Sequence, residues 1–207
     1  MLELFAKGGT VLYILVILSG LAVAIIIERL LYFRRISTDE AKLYSRVKSS
    51  LEKGHYDEAM AICDQNLSPF SALMRVGIEN RAYPEQVQKE VLKDAAAQEV
   101  PRLEKYVAAL GTIANIAPLI GLLGTVTGTM RALGVLGSFG AVADPSILAS
   151  GVSEALINTV GGIIVAVFSV IFYNYLVSRV NLTILKLEGQ VSTLVLMINS
   201  GPAKGEE

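Results

Sequence analysis

The chain has 207 residues, 53% apolar and only 18% charged, a balance shifted toward lipid relative to the roughly 45–50% apolar and about 25% charged residues of soluble domains. Lys+Arg (18) and Asp+Glu (19) nearly cancel, which excludes the basic excess of a nucleic-acid binder. One cysteine, Cys63, and one histidine, His55, exclude a disulfide framework, a thiolate metal cluster and most histidine-based metal or general-base chemistry.

The first element is an uncharged run of 20 residues from Gly8 to Ile27, enough to cross the ~30 Å hydrocarbon layer as a helix. Ala22-Val23-Ala24 has the small-x-small pattern of a signal-peptide cleavage site. Apolar residues continue past it at Ile25, Ile26 and Ile27, however, and the leading segment sets Glu3 against Lys7. The run therefore reads as a retained span over about residues 9–33, preceded by an external N-terminus. Its Leu, Ile, Val and Ala content, with Ser19 and Gly20, suits a lipid-facing helix.

Residues 34–105 read as a cytoplasmic helical region. Asp39, Glu40 and Lys42 open a helix with Leu43, Val47 and Leu51 at four-residue spacing, ending near Gly54. A second short helix begins around Gly54–Ala59 and stops before Ser68-Pro69. It carries Gly, Tyr and Ala at tetratricopeptide-like offsets, but one copy has no neighbours to bury its face. A plain helical hairpin is the simpler reading. After Pro84, Val87, Val91, Ala95 and Leu103 mark an amphipathic helix that runs into the second span with only Pro101 to bend it. His55 and Cys63 read as ordinary surface and core residues.

Two further uncharged runs follow, 25 residues from Tyr106 to Met130 and 24 from Ala155 to Ser178. They predict spans at about 106–135 and 149–178, joined by a short external loop at 136–148. In that loop Asp144-Pro145-Ser146 reads as a turn and helix start capped by Ser146. Residues 180–200 hold Leu182, Leu185, Leu187, Val191, Leu194, Val195 and Ile198, so the third helix continues into the 179–207 tail. The fold class is all-α: an integral membrane helical bundle with three transmembrane helices, two of them extending into a cytoplasmic helical domain.

Twelve Lys and Arg residues lie between Arg34 and Lys105 and three in the tail, against Lys7 and Arg131 on the other side. The positive-inside rule then predicts an external N-terminus, a cytoplasmic 34–105 region, an external 136–148 loop and a cytoplasmic C-terminus.

The second and third spans are not composed for lipid. Gly111, Ala114, Pro118, Gly121, Thr125 and Gly128 form one ridge of small residues, and Gly151, Ala155, Thr159, Gly162, Ala166 and Ser169 form another. Such ridges let helix backbones approach closely, and close packing alone is one reading of them. The polar members admit a second. Glu154 is an ionisable group within a span, which by default marks a functional site; alternatively it is a wetted carboxylate capping a helix start. Asn158 lies one turn below it. Thr125 and Thr159 either bond back to their own helices or present hydroxyls to a partner helix. Together these groups can line a narrow hydrated path. They do not make a nucleophile–base pair.

Ile113–Met130 (IANIAPLIGLLGTVTGTM) resembles the second-span signature of the ExbB/TolQ/MotA proton-channel family. Ser153–Thr159 (SEALINT) resembles its third-span signature, Phe172-Tyr173-Asn174 the continuation, and Glu28-Arg29-Leu30 the exit of the first helix. The similarity covers essentially the whole chain and is closest to the three-span ExbB/TolQ branch. Thr127 departs from an aromatic common in the branch, and Phe168 from a proline that often interrupts the third span; the latter implies a straighter helix.

The resemblance implies a homo-pentamer in the bacterial cytoplasmic (inner) membrane. Its copies would surround a dimer of single-span ExbD/TolR-like partners whose aspartate carries the proton, with a TonB/TolA-like protein beyond. Thr125 and Thr159 would form a polar ring facing that aspartate, with Glu154 in the same lumen toward the outer end. Asn158, Gly121, Gly128, Gly151, Ala155 and Gly162 would line the pore or allow close packing. The energy source is the proton gradient, with no cofactor and no metal. The leading functional expectation is therefore a proton-motive-force-driven stator that performs mechanical work on a periplasm-spanning partner. Outer-membrane transport or envelope integrity would be served. The alternative is a structural oligomeric scaffold without proton conduction. A membrane enzyme is disfavoured, because no nucleophile–base, metal or phosphate-cradling set is present.

Overall fold

A computed structural model of the chain describes residues 9–37, 40–139 and 145–199. Among these residues the protein is all-α, without strands. Its helices are α1 (Gly9–Ile36), α2 (Glu40–Glu52), α3 (Tyr56–Asp64), α4 (Pro69–Glu79), α5 (Glu85–Glu104), α6 (Val107–Phe139) and α7 (Pro145–Asn199). Three helical stretches, within Gly9–Glu52, Glu85–Gly134 and Ala149–Asn199, are long and apolar enough to cross a membrane. The chain divides into two compact units, Met1–Arg29 with Tyr106–Leu176 and Leu30–Lys105 with Val177–Glu207.

In the first unit α1 buries Leu15, Ala22, Ile26 and Arg29 on one narrow face. Leu15 packs into a cluster with Ala117 of α6 and Ala166 of α7, flanked by Val11, Ile120 and Val165. Most of the other large apolar side chains of α1, including Tyr13, Ile17 and Leu21, are exposed. That distribution suits a helix bathed in acyl chains on most of its circumference.

The second unit has a core of large side chains. Leu43, Val47 and Leu51 of α2 are buried, as their spacing predicts, and so are Ile62, Phe70, Leu73, Met74, Ile78, Leu92, Leu194 and Val195. Consecutive helices pack on one another from α2 through α5. Gly54 takes φ 76°, a left-handed conformation that glycine adopts without a Cβ penalty, and so ends the α2 segment. Ser68 caps α4 by accepting from the Ser71 amide at 3.1 Å, with Pro69 in the first turn. His55 is exposed beside Glu58, and Cys63 is buried. Burial, aided by the Asp64 charge, pushes the Cys63 thiol up to about 11.

Several boundaries differ from the sequence expectation. The helix does not run from α5 into α6 through a bend at Pro101. Pro101 sits inside α5, and the interruption falls at Lys105-Tyr106, where Tyr106 has φ 62°. Near the end of a helix, proline removes a single backbone bond, whereas a residue in the left-handed region cannot continue a right-handed helix.

Leu103 of α5 is buried as expected, but the rest of the buried face is shifted by one position, to Gln88, Leu92 and Ala96, leaving Val87 exposed. Gln88 tolerates burial because its amide nitrogen reaches the carbonyls of Tyr83 (2.8 Å) and Arg81 (3.2 Å) and Asn199 Oδ1 (3.2 Å). Leu182 and Leu185 are exposed, lying off the Leu187–Val191–Leu194 face. Helices α6 and α7 reach into the expected 136–148 loop from both ends, and Asp144 and the rest of 140–144 lie outside the described residues. With α7 beginning at Pro145, Ser146 is already helical and is not the cap. α7 is uninterrupted over 55 residues, past Phe168.

A glycine seam with a crossing hydroxyl

The two small-residue ridges meet each other within one chain. A Cβ added at Gly162 would lie 2.6 Å from the Ala117 carbonyl oxygen and 3.0 Å from Gly121 Cα. At Gly121 it would lie 2.9 Å from the Asn158 carbonyl oxygen and 3.2 Å from Thr159 Cα. One end of the seam sets Gly128 against Gly151 and the buried Ala155; the other sets Gly111 against the Tyr173 ring. At Gly121 and Gly162 these are backbone-to-backbone contacts that only hydrogen side chains permit, because the opposing atoms are main chain and have no rotamer in which to yield. Gly121, Gly128, Gly151, Ala155 and Gly162 all lie in this contact between α6 and α7.

The two threonines differ. Thr159 Oγ1 donates across the seam to the Gly121 carbonyl at 3.2 Å, so its hydroxyl meets a partner helix. Thr125 Oγ1 donates to Leu122 of its own helix at 2.7 Å. The back-bonded reading, not the partner-helix one, therefore describes Thr125 in the single chain. Thr125 is half-buried, one turn along α6 from Gly121. Each hydroxyl has committed its proton, and its lone pairs remain able to accept.

Asn158 is 1% exposed, and neither carboxamide atom has a hydrogen-bond partner. Its side chain lies against Gly124, where an added Cβ would come within 2.5 Å of Asn158 Cβ. An unpaired amide in a dry helical bundle is destabilising by roughly 1–3 kcal/mol on mutational scales. Within the chain this residue is packed between α6 and α7. Gly124 escaped the sequence reading because it lies off the small ridge by one position.

Glu154 stands in the tenth position of α7, too far from the helix start to cap it, since capping acts within the first turn. Instead it pairs with Arg131 of α6 at 3.3 Å and is 23% exposed. Its Oε1 also lies against Gly9, at the described start of α1, where φ is 59° and a Cβ would collide with that oxygen. The sequence reading used Arg131 only as a topological charge. A partner 23 residues away on another helix leaves no local spacing to detect. Arg29 was likewise unforeseen: it is 2% exposed, forms an ion pair with Glu28 and lies 5.7 Å from the Tyr106 ring centroid, a cation–π distance.

The sequence that builds this seam is similar to those of known proteins. A sequence model of the MotA/TolQ/ExbB proton channel family matches residues 65–189. A biopolymer transport protein ExbB homolog of Methanothermobacter thermautotrophicus is 32% identical over 192 residues, which cover 90% of this chain and 66% of that protein. Two ExbB-like proteins of Synechocystis sp. are 31% and 32% identical, the alignments covering 86% and 81% of this chain and 71% and 80% of theirs. With three membrane-length helices and these relatives, the chain belongs to the MotA/TolQ/ExbB proton channel family, on its ExbB branch.

Proposed function

We propose that this protein is the stator subunit of a proton-driven membrane motor. In this reading its copies form a pentamer around an ExbD/TolR-like single-span dimer in the bacterial inner membrane. The N-terminus is outside, and the 34–105 region and the tail are cytoplasmic. A partner aspartate alternates between charged and neutral forms as protons pass. One elementary charge crossing the membrane releases about 2.3 kcal/mol per 100 mV, enough to bias a small rotation or shift. That work is delivered to a TonB/TolA-like, periplasm-spanning protein for outer-membrane transport or envelope integrity. The proton gradient is the energy source, and no cofactor is invoked.

The observation that carries the reading is the state of the two hydroxyls. Thr125 and Thr159 donate to Leu122 and Gly121 and so present acceptors. Acceptors suit a protonated aspartic acid, which can donate, better than an aspartate, which cannot. Solvating the ionised form requires each threonine to release its carbonyl and turn its proton outward. Such a ring discriminates between the two protonation states without holding a charge of its own.

In a scaffold without proton conduction the small ridges would serve only to assemble separate copies. Those ridges are occupied within the chain by α6 and α7, which withdraws the main support of that reading. The family is a proton channel family, not a family of enzymes.

The test is proton flux and energised transport in cells co-expressing the partner. Thr125→Val and Thr159→Val should each lower flux at least tenfold while the protein still accumulates in the membrane. Full conductance in both variants would overturn the assignment.

A further inference from the structure

The second unit holds a cleft of about 520 Å³ that the proton-path reading does not use. Its volume is that of an ordinary ligand site, roughly 300–1,000 Å³. One wall comes from the last turns of α1, with Tyr32, Arg35 and Ile36. Another comes from the α3–α4 connection and Arg75, and a third from Glu99 and Arg102 of α5.

The charges in this cleft do not cancel. Asp64 pairs with Arg75 at 2.8 Å and Glu99 pairs with Arg102 at 3.0 Å, so both acids are neutralised by neighbours. Arg35 is exposed, and among the described residues no acid pairs with it. The Arg102 side chain is 72% exposed despite Glu99, and a guanidinium carries five donors, so its fork can serve a second acceptor. Cys63, which also lines the cleft, is held as a neutral thiol and adds no negative charge.

The apolar part of the lining decides what kind of anion fits. Tyr32 and Ile36 flank Arg35, and Leu67 on the connection is 75% exposed. A free phosphate would use the guanidinium groups and leave this apolar flank in water. An amphiphile with an anionic head uses both. The location agrees, because Arg34 and Arg35 directly follow the first span as read over about residues 9–33. That is the depth of lipid headgroups, where tyrosine and arginine anchors concentrate and basic pockets take acidic lipids.

We propose that this cleft is a binding site for one anionic phospholipid. Its phosphate lies between Arg35 and Arg102, and the start of its acyl chain lies along Tyr32, Ile36 and Leu67. The inference stands on the second unit alone and does not depend on the proton-path reading.

The test uses the full chain in neutral detergent, titrated with short-chain phosphatidylglycerol and with phosphatidylcholine of the same chain length, bound lipid being counted by native mass spectrometry. Phosphatidylglycerol should bind at least tenfold more tightly than phosphatidylcholine. The double variant Arg35→Gln/Arg102→Gln should lose that preference, whereas Arg34→Gln, outside the cleft, should change it less than twofold. Glu99→Gln removes a competing carboxylate and should tighten binding at least twofold. This last variant keeps the test decisive if the double variant fails to fold. Equal binding of the two lipids, retention by the double variant, or no gain in Glu99→Gln would overturn the proposal. Displacement by equimolar inorganic phosphate would overturn it in favour of a free-anion site, and displacement by an acidic peptide in favour of a protein partner.

Discussion

Between α6 and α7 the first unit sets Gly121 on Gly162 and Gly128 on Gly151, main chain against main chain. The second unit instead fills its interior with Leu51, Leu73, Met74, Ile78, Leu92 and Leu194, all nearly inaccessible. The physical reason lies in the two solvents. Water drives large apolar side chains together at about 25 cal/mol per Å², so a region read as standing in water gains by burying leucine. Acyl chains are as apolar as leucine and supply no such drive. Helices in lipid therefore associate through close dispersion contact and interhelical hydrogen bonds such as Thr159 to Gly121. The same difference explains why Leu119, Leu122, Val126, Ile163 and Ile171 remain exposed on the outer faces of α6 and α7.

This contrast can be broken most severely at Gly162. Gly162→Leu places carbon against the Ala117 carbonyl, which has no alternative rotamer. It should abolish folded protein in detergent extracts, exceeding the 1–3 kcal/mol of an ordinary overpacking change. Gly20→Ala, where an added Cβ meets nothing within 4 Å, should instead be neutral or gain up to about 1 kcal/mol. If both behave alike, the seam is not the structural determinant argued above.

The next largest effect belongs to the second unit. Leu92→Ala removes a fully buried side chain and should destabilise by about 2–5 kcal/mol, read from thermal or denaturant unfolding. A cost below 1 kcal/mol would mean that this core is not the driving element of its unit.

The smallest effect is one of pH. The Cys63 thiol is raised from 9.0 to about 11. Below pH 9 both states hold the proton and the group is silent. Between pH 9 and about 11 the unfolded chain loses its proton while the folded chain keeps it, so stability falls as pH rises. Cys63→Ala should flatten that part of the pH–stability curve, and an unchanged slope would show that the thiol is not protected as described.

Much of this was legible before any coordinates. Uncharged runs revealed the spans, and the four-residue spacing of Leu43, Val47 and Leu51 revealed the buried face of α2. Both are one-dimensional signals, since hydrophobicity and helical period are written along the chain. The candidate site was legible only as residue types. Glu154, Thr125 and Thr159 were found by their polarity, but not their partners Arg131, Leu122 and Gly121, nor the packing of Asn158 against Gly124. Helix-breaking was misplaced at Pro101 because proline carries a strong local prior, whereas the positive φ of Tyr106 arises from its surroundings.

By itself, then, the amino-acid order determined an all-helical membrane protein with two glycine-bearing ridges and a polar minority in its spans. Those follow from length, period and side-chain size, which need no partner to be read. Only the tertiary structure decided that the ridges close on each other within one chain. It also decided that Thr159 crosses to a neighbouring carbonyl while Thr125 does not, and that Arg35 and Arg102 line one cleft. Each of those depends on which faces of distant segments meet, and contact between residues far apart in the chain is set by packing as a whole rather than by any local sequence period.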